Sequence, residues 1–516
     1  MSPEIAKLAS AVESRGQVLA QALSKYGPLT LAHYAQTIRL AEGDPIQPRR
    51  EVADAFFVST ERVLGVSTAQ IVARQVLEVP SVLTGNHHGV DFKGGISQGT
   101  RVFGLAVDAD SEIPVLACGN IPLNNITRPM SISLANGERI NVFPNKYAHH
   151  LVSATPKFTE DMIAKALAAT GASHRSGKLS DIEAQVIEAM LREDYSDPGV
   201  LRAKDYSDQS VLVNRSIWRD KVHSKDARRE VPGLVYLEFE DVVKNLLVKD
   251  LPNQNSVLHQ LMFDPKLRAT ALKNFSGIDG CWNNDAMKVL DSKADPELRK
   301  KALEDAGTVF FWGIDAKGGR YPLSIQERES STYLVRMDKN DPSADFELTP
   351  ENILARLSEG TQTGKKIIPS LFTAFSEISL VHGFKCYGGY RQIEYLSEMK
   401  EAMVASLWES GRVNWAEKVE TIPTDSFITG LLVSGAKYPD GIIRRAGVVE
   451  IAAKGGFDSR DLAKMRAMTV YEAFLPSLPR RYKSSYEGHE RDSELTAVSE
   501  TDIFNYLQDK IVSINL

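Results

Sequence analysis

The chain has 516 residues, 43% hydrophobic and 25% charged, an ordinary globular composition with length for two or three structural units and a large core. Its 61 Lys+Arg against 67 Asp+Glu give a net charge of -6, which argues against nucleic acid as a partner; the densest basic stretch, Arg480-Arg481-Tyr482-Lys483, reads as a solvated surface turn. Three widely spaced cysteines (Cys118, Cys281, Cys386) argue against a disulfide framework, and charges at Glu4, Lys7, Glu13 and Arg15 with no long apolar run predict a cytoplasmic protein without membrane segments.

Apolar positions at helical spacing predict a helix within 1–26, ended by Gly27-Pro28, and a second helical segment over about 49–78. A short apolar strand, 81–84, ending in Thr84, then breaks into Gly85-Asn86-His87-His88-Gly89-Val90-Asp91, with Gly94-Gly95 beyond it. A buried strand delivering its backbone into a tight loop looks like this, and ligands of open α/β sheets collect at such strand ends. The run 101–107 is helix or strand, and 113–119 reads as a second buried strand, so the two strands form a βαβ unit in a parallel sheet.

Residues 156–305 change to charged, helical runs and read as a mostly helical insertion or second lobe. Strands at 308–314 and 320–325 flank Asp315-Ala-Lys-Gly-Gly319, a predicted hairpin, with a further strand at 331–337. Thr349 is the expected N-cap of a helix with Pro350 in its first turn. The apolar 367–380 reads as a helix, and Gly388-Gly389 opens another strand–glycine–helix joint. Helices at 459–474 and 500–512 complete the chain.

Four of these pieces, in order, resemble the cysteine-adding enzymes of bacillithiol biosynthesis. The family's TGQQxG is similar to 84–89; its aromatic hairpin to Val309-Phe310-Phe311-Trp312 with Arg320-Tyr321-Pro322-Leu323; its SPNxLLRPL to 349–357; and its GGPGExxYWxQLK to 388–400. The paired Gln of the first motif stand here as Asn86 and His87, and the family's acidic EDHD run is replaced by Cys118-Gly119-Asn120 through Asn124-Asn125. The resemblance implies an α/β fold: a Rossmann-like parallel-sheet core with helical insertions and a mostly helical C-terminal part. The expected divisions are 1–155 (N-terminal helices and first half of the core), 156–305 (insertion), 306–435 (second half of the core) and 436–516 (helical C-terminal part). It also implies small-molecule substrates, nucleotide-sized sites with ATP or another adenine nucleotide as the candidate cofactor, a ligase-like joining of an amine or amino acid to a small acidic acceptor, and a homodimer as the candidate assembly.

The residues themselves suggest how such a site would work. Backbone N–H groups of 84–89 and the Asn86 amide suit a phosphate or carboxylate, and His87 or His88 suits acid–base chemistry near neutral pH. The plainer alternative is that Gly85 and Gly89 only turn the chain. After Gly388 and Gly389, the first helical turn with Arg391 and Gln392 would meet an anion, while Glu394 would bind an amino group. With Thr84, these residues form the expected substrate-binding set, to which the resemblance adds Arg356 as a counter-charge. A metal-dependent hydrolase or oxygenase would instead use His87, His88 and Asp91, joined by the pair His149-His150, although adjacent side chains on an extended loop point apart. A thiolate at Cys118 or Cys386 would need a nearby cation, for which Lys385 or His382 could serve Cys386; an inert buried Cys is the commoner outcome. A non-catalytic small-molecule sensor is the third alternative.

Overall fold

The computed structural model describes residues 2–40, 43–291, 295–339 and 341–516. Among them the fold is mixed α/β, centred on five parallel strands: β1 (Ser81–Leu83), β2 (Glu112–Ala117), β3 (Gly233–Glu238), β4 (Lys385–Gly389) and β5 (Phe427–Thr429). Their order across the sheet is β5-β4-β1-β2-β3, each neighbouring pair parallel.

The strands are short and apolar because both faces of the sheet are covered. Successive residues alternate between two cores: Leu83, Val115, Leu234, Tyr236 and Tyr387 enter one, Val82, Leu116, Val235, Leu237 and Cys386 the other. The helix that follows β1, α1 (Gly94–Gly104), packs Val102 and Phe103 into the first core. The helix that follows β4, α2 (Gln392–Glu409), packs Leu396, Met399, Met403 and Leu407 into the second. Neighbouring strands β1 and β4 thus send the chain to opposite faces, which opens a crevice beyond their carboxyl ends.

The βαβ unit, the hairpin of Phe311–Ile314 with Arg320–Arg328, and the Thr349 cap over Pro350–Ser358 all form as the sequence predicts. Elsewhere the expectations need correction. The stretch 156–305 is not simply a helical insertion: it carries β3, an edge strand of the central sheet, and its helix Tyr206–Asp220 packs Val213 and Ile217 into the first core. Part of 306–435 builds a separate antiparallel five-stranded sheet, which takes Ile367–Pro369 as an edge strand where a helix was expected. The N-terminal helices are interrupted at Gly16 and at Gly65, whose φ of +83° suits only glycine at low cost. In the mostly helical C-terminal part the last predicted helix stops at Tyr506, and Val512–Asn515 pairs in parallel with Ser434–Lys437. No helix among the described residues is long and apolar enough to cross a membrane.

Candidate functional site

At the carboxyl ends of β1, β4 and β5 lies a cleft of about 1320 Å³. Pockets for a single drug-sized ligand span roughly 300–1,000 Å³, so there is room for two small molecules or for one nucleotide and an acceptor. Thr84, Gly85, Asn86 and His87 from the β1 loop line it, as do Gly389, Tyr390, Arg391 and Gln392 from the β4 loop. The heads of α1 and α2 both open into this space, and neither has a side-chain cap on its first turn. Uncapped first-turn N–H groups and the helix dipole favour a negative charge there.

The walls carry opposite charge. On the α1 side stand Lys93, Arg444, Arg445 and Arg480, with Arg391 at the head of α2. Arg444 is paired with Asp440 and Arg445 with Glu500, whereas Lys93, Arg391 and Arg480 form no side-chain hydrogen bond or ion pair among the described residues. Burial, aggravated by Arg139, Arg480 and Arg128, holds the Lys93 amine below its usual range. An anion from outside would relieve this mutual repulsion. The other wall, on the α2 side, brings Asp279, Glu304 and Asp305 together with Trp282 and Trp312.

His87 is the only histidine lining the cleft among the described residues. Its Nδ1 lies 2.8 Å from Asn125 Oδ1, which also accepts the Thr127 backbone N–H at 3.1 Å. That second bond identifies Oδ1 as the carbonyl oxygen, so Nδ1 must donate and Nε2 keeps its lone pair. Burial lowers the His87 pKa, with the Asn125 bond opposing. A neutral imidazole with a free basic nitrogen faces the cleft.

The floor between β1 and β2 is fixed by a residue the sequence reading passed over. Glu240 is fully buried and accepts the backbone N–H groups of Gly119 at 2.8 Å and Asn120 at 3.0 Å, with Cys118 Sγ donating at 3.3 Å. Burial pushes the Cys118 thiol well above its usual range, and Glu240 adds to the effect. Cys386 is pushed up to about 12 by burial. Neither is a thiolate nucleophile at neutral pH. Arg320 donates to Asn120 O at 2.6 Å and stacks over Trp312 at 4.2 Å, so the hairpin closes one side of the cleft.

Several expected site residues lie elsewhere. His88 is fully buried, stacked on Tyr236 and hydrogen-bonded through Nε2 to the Ser207 hydroxyl at 2.8 Å; burial drives its pKa down to about 3, so it is no acid–base group. Gly89 packs on Pro129 and Tyr206, outside the cleft. Arg356 packs over Phe346 at 4.8 Å and donates to the Lys365 and Asp345 carbonyls, remote from the cleft lining. Glu394 is committed to Arg481, and Gly388 makes room for Gln392 without lining the space itself. The histidine–aspartate metal set does not assemble: His87 faces Asn125, His88 faces Ser207, His149 contacts Asn124, and the His150 ring packs on Tyr147.

The basic run at 480–483 is not a solvated turn. Arg480 lines the cleft and Arg481 is buried against Glu394. Its signal in the sequence was the charge itself, which a single short run leaves ambiguous. Comparison of the chain with protein-family models, with curated proteins and with solved structures gives no match.

Proposed function

We propose that the protein is a small-molecule biosynthetic enzyme that joins an amine, such as an amino acid, to a small acidic acceptor, in the manner of the cysteine-adding ligases it resembles. The observation that carries this reading is the charge division of one cleft. Unpaired Lys93, Arg391 and Arg480 and two uncapped helix heads would hold the acceptor or a nucleotide phosphate, while Asp279, Glu304 and Asp305 would attract the ammonium group of the partner. The strand order β3-β2-β1-β4-β5, reversing direction between β1 and β4, supports a Rossmann-like core with its ligand at the switch point.

In this reading the neutral amine nitrogen attacks the carbonyl carbon of an acceptor whose carboxylate has been activated as an acyl phosphate. The C–O bond to the phosphate breaks as the C–N bond forms, the phosphate leaves towards Lys93 and Arg480, and the nitrogen must shed a proton. His87 Nε2 takes it, because Asn125 holds the other ring nitrogen as a donor. Backbone N–H groups of the Gly85 and Gly389 loops and the Arg391 fork hold the developing negative charge. An adenine nucleotide would fit the unpaired cations and would supply activation of a carboxylate acceptor.

The test has two arms. Thermal-shift measurements with phosphate, ATP, ADP and small dicarboxylates should raise the melting temperature of wild type but not of Lys93→Met/Arg480→Ala. Mass spectrometry of amine and acid mixtures, with and without ATP, should then find a condensed product that His87→Ala fails to make while still binding ligand. Ligand binding with no product from any pair would favour a sensor; no response to any anion would overturn the assignment of the cleft.

A further inference from the structure

At the opposite ends of the strands from the cleft, where the chain enters β4, four ionisable side chains converge, three carboxylates around one imidazole. His382 Nε2 lies 3.8 Å from Glu51 Oε2, from Asp250 Oδ2 and from Glu377 Oε1. These separations are too long for hydrogen bonds. All four atoms, and Glu377 Oε2 as well, are buried with no hydrogen-bond partner among the described residues. His382, Asp250 and Glu377 have side chains that are 0%, 3% and 0% exposed. The described ion pairs of all three acids are with His382 alone. Three carboxylates confronting one imidazole in a protein interior would cost several kcal/mol per uncompensated ion.

We propose that Glu51, Asp250 and His382, with Glu377 as a fourth carboxylate, form a structural site for a divalent transition-metal cation. The ligand atoms of the first three lie within 4.8 Å of one another. Bonds of about 2.0–2.2 Å to Zn²⁺ place neighbouring ligands of a tetrahedral shell about 3.3–3.6 Å apart, so the 3.8 Å spacings need only a small inward movement. One imidazole with carboxylate oxygens selects Zn²⁺, Mn²⁺ or Fe²⁺ over a soft monovalent ion. The outer shell suits a metal as well. Pro48 O, which can only accept, takes the His382 Nδ1–H at 3.0 Å and leaves Nε2 with its lone pair; Gln47 donates to the other Asp250 oxygen at 2.9 Å.

The ligands come from three distant segments: the first turn of Arg49–Leu64, the last residue of Phe239–Asp250, and the turn 376–382 that leads into β4. A cation there staples the N-terminal helices and the 239–250 helix to the central sheet. It lies away from the cleft, so its effect falls on stability rather than on chemistry.

The full chain, expressed in medium supplemented with zinc, manganese and iron and dialysed against metal-free buffer, is assayed by inductively coupled plasma mass spectrometry. Close to one equivalent of one transition metal per chain is expected. Stripping with a strong chelator should lower the melting temperature, and adding that metal back should restore it. Glu51→Gln, at the partly exposed corner, should fold normally by circular dichroism and bind the metal at least tenfold more weakly; His382→Ala should lose it. Wild-type protein that carries no transition metal and whose melting is unchanged by added Zn²⁺, Mn²⁺ or Fe²⁺ would overturn the site. So would full metal retention in both variants.

Discussion

Gln392 Nε2 donates to Thr84 Oγ1 at 2.6 Å, joining the loop after β1 to the first turn of α2 across 308 residues of sequence. The same amide donates to Cys386 O at 3.0 Å, so one side chain locks both loops to each other and to β4. The fit depends on missing side chains. A Cβ on Gly388 would lie 1.8 Å from Gln392 Oε1, and one on Gly85 would lie 2.8 Å from Gly388 Cα. The two glycine loops approach because neither carries a methyl group at these points.

Thr84→Val keeps the shape of the side chain and removes the acceptor, leaving a buried amide hydrogen without a partner. The expected loss is about 1–3 kcal/mol in urea unfolding. Gly388→Ala forces Gln392 to swing away and breaks the same bond, so the double variant Gly388→Ala/Thr84→Val should lose clearly less than the sum of the single losses. Additive losses would show that the two positions act independently.

Lys93 combines strain with use. Burial and three neighbouring arginines disfavour its charge, so Lys93→Met should leave the ligand-free protein as stable as wild type or more so. The same change should weaken binding of phosphate-bearing ligands by tenfold or more, because a half-buried cation contacting an anion contributes upwards of about 1.4 kcal/mol. Isothermal titration with ATP and with inorganic phosphate measures the affinity, and thermal melting the stability. Binding that weakens with added salt in wild type should do so less steeply in the variant.

What the sequence made legible were features held in short local strings. The loops after the 81–83 and 385–389 strands were legible because glycine-rich exits from apolar runs are a local signal, and residues 84–87 and 389–392 line the cleft. What stayed hidden depends on pairings across the chain. His87 and His88 are chemically alike as text; only the pleat decides that one faces the cleft while the other meets Ser207 in the core. Glu394 reads as an exposed first-turn acid until Arg481 is found beside it. Arg356 matched a motif, yet its helix belongs to the antiparallel sheet's side of the molecule. β3 was missed inside a helical stretch because a lone six-residue strand between long helices gives little periodicity. The Glu51, Asp250, Glu377 and His382 cluster has no sequence signature at all, since its members share no spacing.

Cys118 lines the cleft and Cys386 lies within β4, yet burial raises both thiols, and Cys281 as well, well into their neutral range. All three should react slowly with a thiol-selective disulfide reagent at pH 8 in the native protein and rapidly in urea. Cys118→Ala should retain turnover, with a modest loss of stability from its bond to Glu240. Rapid labelling of one thiol in the native state would point instead to an activated cysteine, and abolished turnover in Cys118→Ala would give it a catalytic role.

One buried and one half-buried group beside the His87 loop, His88 and Asp91, give stability opposing pH dependences. The His88 pKa falls from 6.5 to about 3 by burial, so between those values the unfolded chain binds a proton that the native state refuses. Its contribution is complete above pH 6.5 and is lost as pH falls towards 3. Asp91 is raised from 3.8 to about 7 by burial, with the Lys93 backbone N–H opposing. The native state therefore holds a proton that the unfolded chain has released; this stability is present below pH 3.8 and is lost as pH rises through 7. Asp91→Asn preserves the acceptor for Lys93 N–H at 3.1 Å and cannot ionise, so its stability relative to wild type should grow from pH 4 to pH 8, by no more than about 4 kcal/mol. His88→Gln should show the reverse trend, gaining on wild type as the pH is lowered from 7 to 4. Urea unfolding of the three proteins at pH 4, 5.5, 7 and 8 separates the two groups, and parallel curves for Asp91→Asn and wild type would mean that Asp91 is ionised in the native state across the whole range.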